Sequence, residues 1–210
     1  MTFEQLQEIV DSLMKYTSPD ADVHRLDIGF VADGVRGALI EQWVQKHGMS
    51  SLSQFATDLY LPVQPISQRG LPYIDFGAQV LGLENNAGII DLGMPQEYDN
   101  SFTLIRGGMA STYSHLEAGQ NLGKVMGFMV GTQIFFKYLN LGQETIRVTA
   151  IPALFGITDP NFQIPMPLEF TDALTQGLRA RFQEIKHTAT DNVAGGRAVI
   201  EGNKQPIQQQ

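Results

Sequence analysis

Between residues 59 and 156 the chain never sustains a helical period. It runs as short apolar stretches cut by turn residues: LYLPVQPI, LPYIDFGAQVLGL, AGIIDLG, SFTLIRG, MASTYSHL, KVMGFMVG, TQIFFKYL and ETIRVTAIPAL. Twelve of the 21 glycines lie between 70 and 142, so turns are dense exactly where helices are missing. Residues 85–88 (Asn-Asn-Ala-Gly), Gly107-Gly108 and residues 139–142 (Leu-Asn-Leu-Gly) are turn signals. The pattern predicts an antiparallel β domain over 59–156, with about six to eight strands. Strands do not alternate with helices, which argues against a parallel nucleotide-binding sheet.

Helices flank this region. Thr2 and Gln5 have capping-box spacing, and Phe3, Leu6, Ile9, Val10, Leu13 and Met14 share one face of a helix over 2–16. TSPDAD at 17–22 breaks it. A second helix follows over 26–48, LDIGFVADGVRGALIEQWVQKHG, ending at Gly48. It buries apolar residues yet carries Gly29, Gly34 and Gly37, each costing about 1 kcal/mol against alanine. Two readings are open: a neighbouring backbone comes close to these glycines, or they kink the helix. Ser50 or Ser51 is a candidate cap for a short third helix. After the Pro-rich loop at 157–167, Leu174, Leu178, Phe182 and Ile185 stripe a helix over 167–187, with Pro167 or Thr171 near its start. Residues 188–210 are a polar Gly/Gln tail.

The expected fold class is therefore α+β. N- and C-terminal helices (1–58 and 157–187) pack as a small bundle, the β domain (59–156) is inserted between them, and 188–210 form an extended C-terminal arm.

Charge and motif content bear on function. Net charge is −8, with charged residues at 17% and no cysteine. Disulfides and thiolate metal sites are excluded. A sparsely charged chain fits one that buries surface against neighbours. Residues 1–177 carry 9 basic and 19 acidic residues, a net of −10, which opposes phosphate binding. The N-terminus lacks the pattern of a signal peptide, and 125–136 is too short and polar to span a bilayer, so the expectation is a soluble, cytoplasmically made protein. His24, His47, His115 and His187 show no metal-ligand spacing. Asp20, Asp22, Asp27 and Asp33 match no calcium loop and read as solvated acids at a helix start. Residues 119–124, GQNLGK, lack the hydroxyl of a phosphate loop and read as a turn. Tyr98, Phe102, Tyr113, Phe128, Phe135, Phe136 and Tyr138 have too few basic neighbours for base stacking and read as strand core. No cofactor is expected.

The run Phe30-Val31, Arg36, Leu39-Ile40, Gln42, Lys46 and Gly48 resembles the N-terminal helix pattern of ring-forming head–tail connector (adaptor) proteins of crAss-like and related tailed phages. IRVTAIPALFGITDP (146–160) and QIPMPLEFTDAL (163–174) are similar to that family's closing strand, Asp-Pro loop, Pro-rich lead-in and helix. The shared order covers about 1–187, with 60–140 outside it. The aromatic-to-arginine spacing is one residue longer here, and Trp43 follows the Leu-Ile pair. The resemblance implies a non-enzymatic virion protein assembled in the host cytoplasm. It would form a homo-oligomeric ring, commonly twelve-fold, between portal and tail, contact the portal and adjacent tail or ring proteins, and line the DNA channel without sequence-specific binding.

Under this reading Gly34, Arg36, Gly37 and Trp43 are subunit-interface candidates. The arm's Val193, Arg197, Val199, Ile200, Lys204 and Ile207 are candidates too, because so polar a tail cannot order itself and is expected to lie on another subunit. The alternative is a small hydrolase or isomerase using Asp75 or Asp91 with His115. A monomeric binding module is a third reading.

Overall fold

The computed structural model describes residues 1–17, 25–65, 70–83, 87–95, 102–105, 125–139, 144–155 and 157–184, without the side chains of 14–17 and 25–28. The turn readings at 107–108 and 119–124, most of those at 85–88 and 139–142, and the arm with all six of its candidates lie outside these residues. So do Tyr98, Tyr113, His24, His115, His187, Asp20 and Asp22.

Helix α1 spans Phe3–Thr17. Its capping box is formed: the Thr2 amide donates to Gln5 Oε1 at 2.9 Å, and the Gln5 amide to Thr2 Oγ1 at 3.2 Å. Helix α2 runs unbroken from Arg25 to His47, so its three glycines do not split it. Gly48 follows at φ 85°, ψ 165°. That is outside the left-handed helical region expected for the cap, in a conformation open to glycine but hardly to other residues. Met49–Phe55 then form a 3-10 turn without a side-chain cap. Ser51 instead donates its hydroxyl to the Gly48 carbonyl at 2.7 Å.

Seven strands follow: β1 Thr57–Pro62, β2 Tyr73–Asp75, β3 Ile89–Gly93, β4 Phe102–Ile105, β5 Val125–Val130, β6 Gln133–Lys137 and β7 Thr145–Ala150. They form two sheets, ordered β1-β7-β3 and β2-β6-β5-β4. One expectation needs correcting: β4 and β5 pair parallel, while every other ladder is antiparallel. A parallel pair needs a crossover of about a dozen residues or more, and 106–124 supply that length. At the β5–β6 hairpin Gly131 takes φ 62°, as a primed two-residue turn requires. β3 lies beside β4 and β1 beside β2, so the sheets close on each other like a small barrel.

Side-chain alternation fills that barrel. Ile146, Val148 and Ala150 of β7 face inward with Val125 and Met129 of β5 and Ile134 and Phe136 of β6. Met126 and Phe128 point the other way and form a separate cluster with Ile105. Phe102, Phe128, Phe135 and Phe136 are buried, as the strand-core reading requires, whereas Tyr138 is exposed.

The helices share one further core. Leu174, Leu178 and Phe182 of a helix over 170–184 (α3) meet Phe3, Leu6 and Val10 of α1 and Ala32 and Ile40 of α2. Leu81, Leu83, Ile151 and Leu154 pack into it from the β side. The N-terminus is clipped to the Pro-rich loop, with Phe3 N donating to Phe162 O and Ile164 N to Met1 O. Residues from both ends of the described chain thus build one helical layer against the barrel.

Candidate functional site

Helix α2 does different work on its two sides. Gly29, Asp33 and Arg36 recur at helical spacing and face the segment 151–155, which leaves β7 and passes beneath the helix. Arg36 is wholly buried, and its Nη1 donates to the Pro152 carbonyl at 2.6 Å. Asp33, a turn earlier, accepts the Leu154 amide at 2.8 Å and the Phe155 amide at 3.0 Å. The two side chains approach at 4.0 Å. Arg36 Nε and Nη2 find no hydrogen-bond partner among the described residues.

Burial dominates the electrostatics here. It pushes the Asp33 carboxyl above its usual range, against the pull of the Leu154 and Phe155 amides and of Arg36. It pushes the Arg36 guanidinium down to about 10, which leaves it charged at neutral pH. Asp33 is therefore a buried clamp in mid-helix, not a solvated acid at a helix start. A Cβ at Gly29 would lie 2.9 Å from the Leu154 carbonyl oxygen, so this glycine is where the passing backbone comes close.

The other side of α2 faces a groove. Phe30, Val31, Gly34, Val35, Ala38 and Leu39 line one wall of an open, largely apolar cleft of about 700 Å³. Gly177, Ala180, Arg181 and Glu184 of α3 line the other. The helices touch below it, where a Cβ at Gly177 would come within 2.7 Å of Val35 Cγ1. Phe30 stands at the lip, 71% exposed. A Cβ at Gly34 would meet nothing within 4 Å. Arg181 and Glu184 pair at 2.6 Å on the rim.

These positions separate the interface candidates. Gly34 borders the open groove. Gly37 looks inward, with a Cβ there 3.7 Å from Leu83 Cδ2. Arg36 is committed inside the chain, so its side chain is not available to a neighbour as a free cation. Trp43 stacks on His47 at 4.3 Å and meets Phe55 and Phe170 edge-on, both at 6.1 Å.

The acids of the enzyme reading stand on different sheets. Asp75, at the end of β2, accepts Gln133 Nε2 at 3.1 Å and the Gly77 amide at 2.9 Å. The bond from Gln133, with help from Gly77, holds its carboxyl below the usual range. Asp91 on β3 lies 3.9 Å from the buried Arg147 of β7. Among the described residues no group of three or more histidines or carboxylates is placed to hold a metal, and no helix is long and apolar enough to cross a membrane.

The residue that sequence reasoning missed is Asp33. Its signal was an Asp-x-x-Arg pair set within the apolar positions Ala32 and Ile40, where solvated charges are out of place. No protein-family model and no curated protein matches the chain.

Proposed function

We propose that the protein is a ring-forming structural subunit, a head–tail connector (adaptor) of a tailed phage that joins portal to tail and lines the DNA channel. The observation that carries the proposal is the apolar groove between α2 and α3, open among the described residues, with Phe30 exposed at its lip. A contiguous apolar recess on a soluble chain is the kind of surface that a partner covers. Leu168, 89% exposed just before α3, extends the apolar surface of the helical layer.

A recess on one face, filled by a different part of the next copy, is a head-to-tail contact, and such contacts form rings where the rotation between copies closes. The resemblance of residues 30–48 and 146–174 to connector proteins supplies the kind of ring. The charge suits a conduit: twelve copies at −8 give a particle charge on the order of −100, which repels DNA phosphates instead of gripping them.

Native mass measurement and electron imaging of the purified full chain test this reading. The expected outcome is a cyclic particle, or a monomer that closes into one when mixed with portal protein. A protein that stays monomeric in both settings overturns it.

A further inference from the structure

We propose that the α2–α3 groove is the receptor for the C-terminal arm of the neighbouring copy, entered by the segment Val193–Ile200, VAGGRAVI. The inference rests on the ring reading above and gives it an interface.

The end of the described chain is the first argument. It stops at Glu184, itself a wall of the groove, and residues 185–210, 26 in number, remain to be accommodated. The second argument is direction. Phe170 lies against Trp43, Gly177 against Val35 and Leu39, and Ala180 to Glu184 share the groove with Phe30 and Val31. α3 is therefore antiparallel to α2, and its last described residue, Glu184, stands at the Phe30 end of the groove. Entry into its own groove from there would need a reversal of direction. Running on needs none, and the eight residues 185–192 reach roughly 26 Å when extended, about the width of a small domain.

Chemistry is the third argument. Val193, Val199 and Ile200 are the clustered three of the four large apolar groups in residues 188–210, Ile207 being the fourth, and the groove offers apolar walls. Charge agrees with it: residues 1–184 carry 11 basic and 20 acidic groups, net −9, while 185–210 carry 3 and 2, net +1. Gly34 then gains a role. Among the described residues nothing lies within 4 Å of a Cβ built there, so a glycine leaves room for the entering arm.

The cysteine-free chain makes the test direct. Ala38→Cys is placed on the groove wall and Val199→Cys on the arm. The two single variants are co-expressed, and the assembled protein is oxidised. The expected product is a disulfide-linked dimer, formed by neither variant alone. The double variant should give a ladder of linked copies. Gly34→Leu, whose side chain enters open space and not the chain's own packing, should cut the yield about tenfold, as loss of one buried anchor would.

An intrachain link in the double variant with no dimer from the mixture would overturn the proposal, because the arm would then occupy its own groove. No link of either kind would overturn it as well. Particle size on the same samples separates the two readings: rings without the link remove the arm site and leave the ring, whereas monomers remove the ring reading itself.

Discussion

Helix α2 holds two glycines five residues apart that answer to different demands. Gly29 lies under the Leu154 carbonyl, and the chain's own packing forbids a side chain there. Gly34 faces open space, and none of the described residues forbids one. Both carry the same cost in helix propensity. Around Gly29 stand the buried Asp33 and Arg36, which fasten the helical layer to the barrel. Around Gly34 stand Phe30 and Ala38, which line the groove. A weak helix former that its own fold does not require points to a requirement outside the fold.

The contrast breaks most readily at Arg36. Arg36→Met keeps most of the volume but leaves the Asp33 carboxylate without its cation and the Pro152 carbonyl without its donor. Denaturant unfolding should show a loss of about 3–5 kcal/mol, typical of removing one partner of a buried pair. A loss below about 1 kcal/mol would mean that the clamp is not what joins the two layers.

Asp33→Asn should cost about 2 kcal/mol at neutral pH, since it sets an amide NH2 donor beside the Leu154 and Phe155 amides, which need acceptors. Its pH dependence is more telling. Burial raises the folded-state value of Asp33 above the unfolded 3.8, so the native state binds more protons between the two. The stability contributed by Asp33 is complete below 3.8 and is lost as pH rises through the raised value. The gap between wild type and Asp33→Asn should therefore narrow on going from acid to neutral pH. A gap that widens would show that the Leu154 and Phe155 amides outweigh burial.

Gly29→Ala and Gly34→Ala make one change at both sites, and the signs should differ. At Gly29 overpacking against Leu154 outweighs the gain in helix propensity, for a net loss of about 1–2 kcal/mol. At Gly34 only the propensity gain remains, and the isolated protomer should be stabilised by up to about 1 kcal/mol. Thermal melts of the two variants under conditions that keep the protein monomeric decide it. Equal shifts of the same sign would erase the distinction between the two faces.

What the sequence made legible was local. The Thr2–Gln5 box, the presence of a helix at α2 (though not its continuity), the stripe Leu174, Leu178 and Phe182, and most strand runs all depend on residues within a turn or two of each other. The clamp was not legible, because the Asp33 partners are backbone amides 121 and 122 residues away, and an amide leaves no mark on the identity of its residue. Asp33 consequently read as one of several helix-start acids. The parallel β4–β5 pair was hidden in the same way: alternation shows that a strand exists and which face is buried, but not the direction of its neighbour. The groove was half legible. Gly34 stood out on α2, while Ala38, Gly177 and Ala180 drew no notice until α3 was laid alongside.

The clip between the N-terminus and residues 160–164 sets an order of events on the ribosome. α1 and α2 emerge first, yet Leu6, Val10 and Ile40 acquire their α3 partners only after the last third of the chain has been made. At about 5–20 residues per second, the roughly 135 residues between α2 and Phe182 take on the order of 10–30 s to add. Through that interval Leu52, Phe55, Leu81 and Leu83 join the core of the first two helices, but the face that awaits α3 is available to any passing chain. Completion of the helical layer thus waits on the synthesis of α3, and newly made copies crowded on one message are most at risk of mispairing during that wait.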